Sequence, residues 1–396
     1  DGTESLPNNI RTLKKLKDGL INKKGNLLLP KNKKIMLWDE YQKYSKQIKG
    51  NMEPLYEDNH VTAIIGTSGT TGLPKGVCLT DENINVAALA YKNGKVFEGD
   101  TFLDALLPSI GYGISMLHFQ TIAGKHVYLL PELLTTNTAK ALSVLKPDNF
   151  PGGPVHYINL KASEEFKNGK VPKHNNYISG GASLPKDVES TLNGVDEGYT
   201  EEGINDSIIV RQGYGLSENV ARGTYSKRGS YKFGSIGIPM PYQTIGIFKP
   251  GTDEELDYNE QGEICITGPT VMQGYLKNEE ETNKVILLHS DGKRWIHTKD
   301  IGYMDEDGHI FHVDRIKNIF MRTGFNVHPA KIAEYINTIP YVRNSVVIGF
   351  EHPKEQSVPV AFVELERSAV INHTKEELLY EINKLCYSNL EETSVP

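Results

Sequence analysis

The ten residues Thr67-Ser68-Gly69-Thr70-Thr71-Gly72-Leu73-Pro74-Lys75-Gly76 combine glycines, hydroxyls and a single lysine in a way that suits a polyphosphate. Glycine lets the backbone take positive φ and come close to a ligand. Successive N–H groups can then form an anion-binding nest, and Ser and Thr hydroxyls donate to phosphate oxygens. Lys75 adds a point charge against the phosphates. The segment is not a Walker loop, because Gly72 is followed by Leu73-Pro74 rather than by Lys and a hydroxyl residue. Nor is it a serine-hydrolase elbow, since Gly66-Thr67-Ser68-Gly69 lacks the second spaced glycine. Ser183-Leu184-Pro185-Lys186 fits the SxxK pattern, a tetrapeptide too short to carry an assignment. A flexible surface hairpin is the plain alternative for Thr67 to Gly76, but apolar runs bound the segment on both sides.

Other groupings follow downstream. Ser179-Gly180-Gly181-Ala182-Ser183 is glycine-rich, and Gly213-Tyr214-Gly215-Leu216-Ser217-Glu218 sets an aromatic ring four positions before a carboxylate. Gly262-Glu263-Ile264, Met272-Gln273-Gly274-Tyr275, Thr298-Lys299-Asp300 and Val313-Asp314-Arg315-Ile316-Lys317 come next, then Gly324-Phe325-Asn326-Val327-His328-Pro329. Taken in this order with the lysine-bearing loop, the series resembles the superfamily of acyl-CoA synthetases, peptide-synthetase adenylation domains and firefly-type luciferases. The resemblance runs from about residue 55 to 390 and is nearest in pattern to acyl-CoA ligases.

The resemblance implies ATP-dependent activation of a carboxylic acid to an acyl adenylate, followed by transfer to the thiol of CoA. A carrier-protein phosphopantetheine is the alternative acceptor, and a nucleotide-binding relative without turnover is a third reading. It implies ATP as a substrate, Mg²⁺ held by Glu218 with Thr70, and CoA as co-substrate. Thr67, Ser68, Gly69, Thr70, Thr71, Gly72 and Lys75 would restrain the phosphates, with Ser217 adding a hydroxyl. Gly180, Gly181 and Ala182 would pack on adenine opposite Tyr214, with Gly213 and Gly215 shaping the turn. Asp300 would take the ribose hydroxyls, Arg315 a second ribose or phosphate contact, and Lys317 would be the hinge. Lys75, Thr70, Glu218 and Lys317 are the catalytic candidates. Lys299 stands where the family carries glycine, Ser217 where threonine is commoner, and Met321 and Thr323 where several ligases have lysine. The acyl pocket is expected at Leu107 to Ile114 and Phe150 to Tyr157, neither with an Asp that could hold a substrate ammonium.

Positioning these groups calls for an α/β fold. Val61 to Ile65 and Val77 to Thr80 read as strands around the loop, and Asp81 as the N-cap of a helix to about Tyr91. Residues 234 to 313 read as a β-rich, barrel-like subdomain, with turns at Pro250-Gly251, Gln261-Gly262, Asp291-Gly292 and Asp307-Gly308. Strands near 346–349 and 360–363 and a helix from Lys375 to about Asn389 follow. Layered α/β subdomains with the β-rich part would make a nucleotide-binding domain over 1–313. A small mobile α+β domain would occupy 314–396. The family's C-terminal Gly-Lys segment has no counterpart before Val395-Pro396, and the stretch ahead of the loop is short, so both ends are expected to be incomplete.

The chain of 396 residues is 38% hydrophobic and 23% charged, ordinary for a protein with a buried core. Its formal net charge of −7 argues against a nucleic-acid partner, despite a lysine-rich start. Cys78, Cys265 and Cys386 lie far apart without metal-ligand spacing, which fits a reducing, cytoplasmic setting. His309 and His312 have the spacing of a helical metal pair but sit in a strand-like stretch, which speaks against that role. No apolar run is long enough for a membrane span. Oligomeric state is not legible.

Overall fold

The computed structural model describes residues 59–67, 74–130, 137–173, 175–195, 208–227, 229–366 and 369–396. Ser68, Gly69, Thr70, Thr71 and Gly72, all expected phosphate contacts, lie outside the described residues. Strands β1 (Val61–Thr67) and β2 (Lys75–Thr80) pair antiparallel, so that Thr67 faces Lys75 at the mouth of the loop. Helix α1 (Asp81–Asn93) follows directly. Its N-cap is Thr80, not Asp81: the Thr80 hydroxyl accepts from Asn83 N at 3.2 Å while Asn83 Oδ1 accepts from Thr80 N at 2.8 Å. This reciprocal box satisfies two donors at once and leaves Asp81 in the first turn, where its charge complements the helix dipole.

Next comes a parallel sheet. Its strands β3 (Thr101–Asp104), β4 (His126–Leu129), β5 (Asn149–Gly152), β6 (Asn176–Ser179) and β7 (Val210–Gln212) lie in the order β4-β3-β5-β6-β7. Helices α2 (Gly111–Ile122), α3 (Thr138–Leu145), α4 (Pro154–Ala162) and α5 (Lys186–Asn193) alternate with them. Because side chains alternate across a strand, neighbouring residues enter different cores. Leu103 and Tyr177 pack with Leu142, Phe150, Tyr157 and Leu192. Phe102 and Ile178 pack on the opposite side with Tyr91, Met116 and Phe119. Both faces are covered, as parallel sheets require.

After the short pair β8 (Thr224–Tyr225) and β9 (Ile238–Pro239) the chain becomes β-rich, as expected. Strands β10 (Thr244–Phe248) and β11 (Gly262–Thr267) precede β12 (Gly274–Tyr275), which returns to pair with β2. Helix α6 (Glu279–Val285), β13 (Ile286–Leu288), β14 (Arg294–Met304) and β15 (Ile310–Arg315) complete this part. One edge of β14 meets β11, while its other edge is shared by β13 and then β15. Among the described residues these strands pair in the order β10-β11-β14-β13, with β15 also on β14, and Gly262, read as a turn residue, instead starts β11.

The last sheet contains β16 (Phe320–Arg322), β17 (Phe325–Val327), β18 (Val342–His352) and β19 (Gln356–Leu365) in the order β17-β16-β19-β18. Helices α7 (Pro329–Asn337) and α8 (Lys375–Asn389) contribute Ile332, Ile336, Ile382 and Cys386 to a separate core with Val347. Cys78 on β2, Cys265 on β11 and Cys386 on α8 are all buried free thiols. Among the described residues, no helix is long and apolar enough to cross a membrane.

Candidate functional site

The parallel strands β6 and β7 end side by side at Gly180 and Gly213, with Gly213 N donating to Ser179 O at 2.9 Å. Carboxyl ends of parallel strands are where open α/β sheets bind ligands. Gly180, Gly181, Gly213, Tyr214 and Gly215 line one cavity there, walled by Tyr112 and Arg222. Gly181 has φ of 91°, and a Cβ on Gly215 would lie 2.4 Å from Ala221 C, so neither position tolerates a side chain. Ala182 is exposed at the rim of the same loop.

Behind this loop stands a buried carboxyl. Glu189 on α5 accepts from Gln212 Nε2 at 2.9 Å, Tyr231 Oη at 2.9 Å and Gly234 N at 3.3 Å. Gln212 Oε1 in turn accepts from Leu184 N at 3.2 Å, so the two glycine-bearing loops are tied together from below. Burial pushes the Glu189 carboxyl up to about 7, against the opposing pull of its donors.

Tyr214 is fixed through its backbone N, which donates to Thr224 Oγ1 at 3.1 Å, and its hydroxyl donates to Asp300 Oδ2 at 2.7 Å. Asp300 and Arg315 are direct cross-strand partners on β14 and β15, beside a register shift at Ile301 and Gly302. Arg315 Nε stands 2.9 Å from Asp300 Oδ1 as an ion pair, and His312 Nε2 lies 3.8 Å from the same oxygen. Burial would raise the Asp300 carboxyl, but His312, Tyr214 and Arg315 outweigh it and hold the group below its ordinary range. Oδ1 accepts no hydrogen bond among the described residues, although it is buried. A buried carboxylate oxygen with an ion-pair partner but no hydrogen-bond donor keeps acceptor capacity that a ligand hydroxyl can fill.

Lys299, just before Asp300, has φ of 63°. Its backbone N donates to the buried Glu263 Oε1 at 2.9 Å, and its carbonyl accepts from Ile316 N at 2.9 Å. A left-handed backbone is one that glycine adopts at lower cost than lysine.

At the other end of the Tyr214 loop, Glu218 Oε1 accepts from Tyr275 Oη at 2.7 Å. Asn219 Oδ1 staples the turn by accepting from Leu216 N at 2.8 Å and Arg222 N at 3.2 Å. Ser217 opens the turn with its Cα packed close to Gly111. Lys75 lies over the face of Tyr275, 5.0 Å from the ring centre, and pairs with Glu281 on α6. Thus Lys75, Tyr275 and Glu218 form one contiguous group, and Tyr214, Asp300 and Arg315 form another, with residues 214 to 218 joining them. Lys317 is not in either group: it is exposed in the turn between β15 and β16.

Sequence reasoning gave Tyr275 no role and missed Glu281. Glu281 follows Asn278-Glu279-Glu280, a run that reads as an ordinary acidic helix start, and Asn278 Oδ1 does accept from Glu281 N at 3.1 Å. Phe150 and Tyr157, expected in an acyl-pocket wall, are instead fully buried in the core, with Tyr157 Oη donating to Phe150 O at 2.9 Å. Leu107 and Ile110 of the first expected segment are exposed. His309 Nε2 lies 2.9 Å from Ser230 O, and His312 faces Asp300, so the two histidines serve different neighbours.

The profile of the AMP-binding enzyme family matches residues 7–276. A long-chain-fatty-acid–CoA ligase of Bacillus subtilis (strain 168) is 33% identical over 323 residues, covering 80% of this chain and 55% of that protein. A probable 4-coumarate–CoA ligase 1 of Dictyostelium discoideum is 33% identical over 326 residues, covering 80% and 56%. The chain therefore spans little more than half the length of these relatives. Among solved structures, ATP-bound MatB from Rhodopseudomonas palustris superposes with a TM-score of 0.72 at 24% identity, over 86% of this chain and 64% of that one.

Proposed function

The chain belongs to the AMP-binding enzyme family, and from that premise we propose that it activates a carboxylic acid with ATP and passes the acyl group to CoA. In the first step a carboxylate oxygen attacks the α-phosphorus, the bond to pyrophosphate breaks, and an acyl adenylate remains. In the second the CoA thiol takes the acyl group and AMP leaves. The supporting observation is the short loop from Tyr214 to Glu218, which joins an acceptor suited to ribose hydroxyls to a lysine suited to phosphates.

In this reading Tyr214 offers adenine one flat face, and Gly180, Gly181 and Ala182 supply the other. Asp300 Oδ1 accepts from the ribose, and Arg315 contributes charge beside it. Lys75, Thr67 and Ser217 with residues 68–72 restrain the phosphates, holding the α-phosphorus in line for attack. Tyr275 occupies one oxygen of Glu218 and leaves Oε2 without a donor among the described residues, a hard ligand that fits Mg²⁺. When bound there, that ion would neutralise charge on the phosphates. Residues 314–396, with their own sheet and core, would be the mobile domain and Lys317 its hinge. The three buried thiols fit a cytoplasmic location.

The test is exchange of labelled pyrophosphate into ATP across a panel of carboxylic acids, followed by CoA-dependent AMP release. Acid-dependent exchange without a response to CoA would point to a carrier-protein acceptor. Nucleotide binding without exchange for any acid would overturn the enzymatic reading.

A further inference from the structure

Lys75 and Glu281 are 206 positions apart in sequence, yet their charges meet beside the mouth of the phosphate loop. Glu281 has a second cation, since Lys284 Nζ donates to its Oε1 at 2.8 Å. Lys284 and Lys75 together hold the Glu281 carboxyl at about 2, so it is ionised under all working conditions. Both Lys75 and Glu281 side chains are largely covered, at 17% and 25% exposure, which limits solvent screening of the pair.

We propose that Glu281 is a resident counter-ion that competes with the polyphosphate of ATP for Lys75, and so sets nucleotide and pyrophosphate affinity. The inference rests on Lys75 facing phosphate, as argued above. Before binding, Lys75 is paired with Glu281. When phosphate arrives, Lys75 turns to it, and Glu281 keeps Lys284 as a partner rather than being left alone. Charge is balanced on both sides of the exchange, which lets it proceed without stranding an ion. The carboxylate nevertheless stays close enough to repel the phosphates. Pyrophosphate, the more highly charged product per atom, is therefore held loosely and leaves readily. Tyr275 links this exchange to Glu218, because its ring lies beneath the Lys75 ammonium and its hydroxyl serves Glu218.

Glu281→Gln keeps shape and removes the charge. Calorimetric titration of the chain with MgATP, and separately with magnesium pyrophosphate, is compared for wild type, Glu281→Gln and Lys75→Ala. Glu281→Gln is expected to bind both ligands roughly fivefold more tightly, with the gap narrowing as salt is raised. Lys75→Ala is expected to bind both more weakly. If Lys75→Ala weakens binding but Glu281→Gln leaves it equal or weaker, the counter-ion role is overturned while the phosphate role of Lys75 survives. If Lys75→Ala changes nothing, the phosphate role itself falls. Thermal melts with unchanged midpoints establish that both variants are folded.

Discussion

The Tyr214 hydroxyl donates to Asp300 Oδ2 at 2.7 Å, joining a residue from the end of the parallel sheet to one from the middle of β14. That bond leaves the other carboxylate oxygen to Arg315 and to a ligand. It also pins the phenolic oxygen of Tyr214, and with it the position of the ring, because the side chain cannot swing away without abandoning a buried acceptor. The place of the ring offered to a base and the acceptor offered to a sugar are consequently linked by one contact.

Removing the hydroxyl tests this coupling. Tyr214→Phe leaves Asp300 Oδ2 without a donor and is expected to cost about 1–3 kcal/mol of stability in urea denaturation. MgATP binding should weaken roughly tenfold, since both ring and carboxylate lose their alignment. Unchanged affinity alongside the stability loss would confine the contact to folding.

Glu218 should behave differently. Its carboxylate meets only Tyr275 among the described side chains, so Glu218→Ala is expected to lower the melting temperature little. Acid-dependent pyrophosphate exchange should fall by about 10²–10³, the scale of losing one electrostatic stabiliser in an active site. An exchange rate equal to wild type would remove Glu218 from the metal and phosphate site.

How far these groups could be read from sequence depended on how local their signals are. Helix α8 was legible because Thr374 and Glu377 form a capping box within four residues. The hairpin around the phosphate loop was legible because β1 and β2 are contiguous with it. The Tyr214 and Asp300 motifs were recognisable, but the bond between them spans 86 positions and has no sequence signature. Glu281 was invisible for the same reason. Asp81 was misplaced by one residue because Thr80 and Asp81 are both good caps, and only the Asn83 side chain decides between them. Phe150 and Tyr157 sit near glycines that suggested a pocket, yet Phe150 on β5 and Tyr157 on the buried face of α4 both turn into the core.

Glu189 makes stability depend on pH. Its carboxyl is raised by burial from an ordinary value of 4.5 to about 7, so the folded chain holds this proton more tightly than the unfolded one. The stabilisation is complete below about pH 4.5 and lost as pH rises through 7, a change of order 3 kcal/mol. Urea titrations at pH 5 and pH 8 should show wild type losing this increment. Glu189→Gln should show a correspondingly flatter difference between the two pH values, and an equal slope in both proteins would contradict the assignment.

Lys299 carries a left-handed backbone that glycine adopts without a Cβ clash. Its side chain is half exposed and stands 3.8 Å from Glu263, too weak a pair to offset the strain fully. Lys299→Gly is expected to be neutral or to stabilise the chain by up to about 1 kcal/mol, measured by denaturant midpoint. A clear destabilisation would mean that the Lys299–Glu263 pair contributes more than its geometry implies.

The three cysteines occupy different parts of the fold, and burial raises each thiol above its ordinary range. Since only the thiolate reacts, each should resist alkylation until its own surroundings open. Cys78 then acts as a clock for the sheet that carries Lys75, Cys265 for the strands that carry Asp300, and Cys386 for the C-terminal core. Labelling rates read site by site, with and without MgATP, would show which part of the molecule a bound nucleotide holds shut, with no engineered probe.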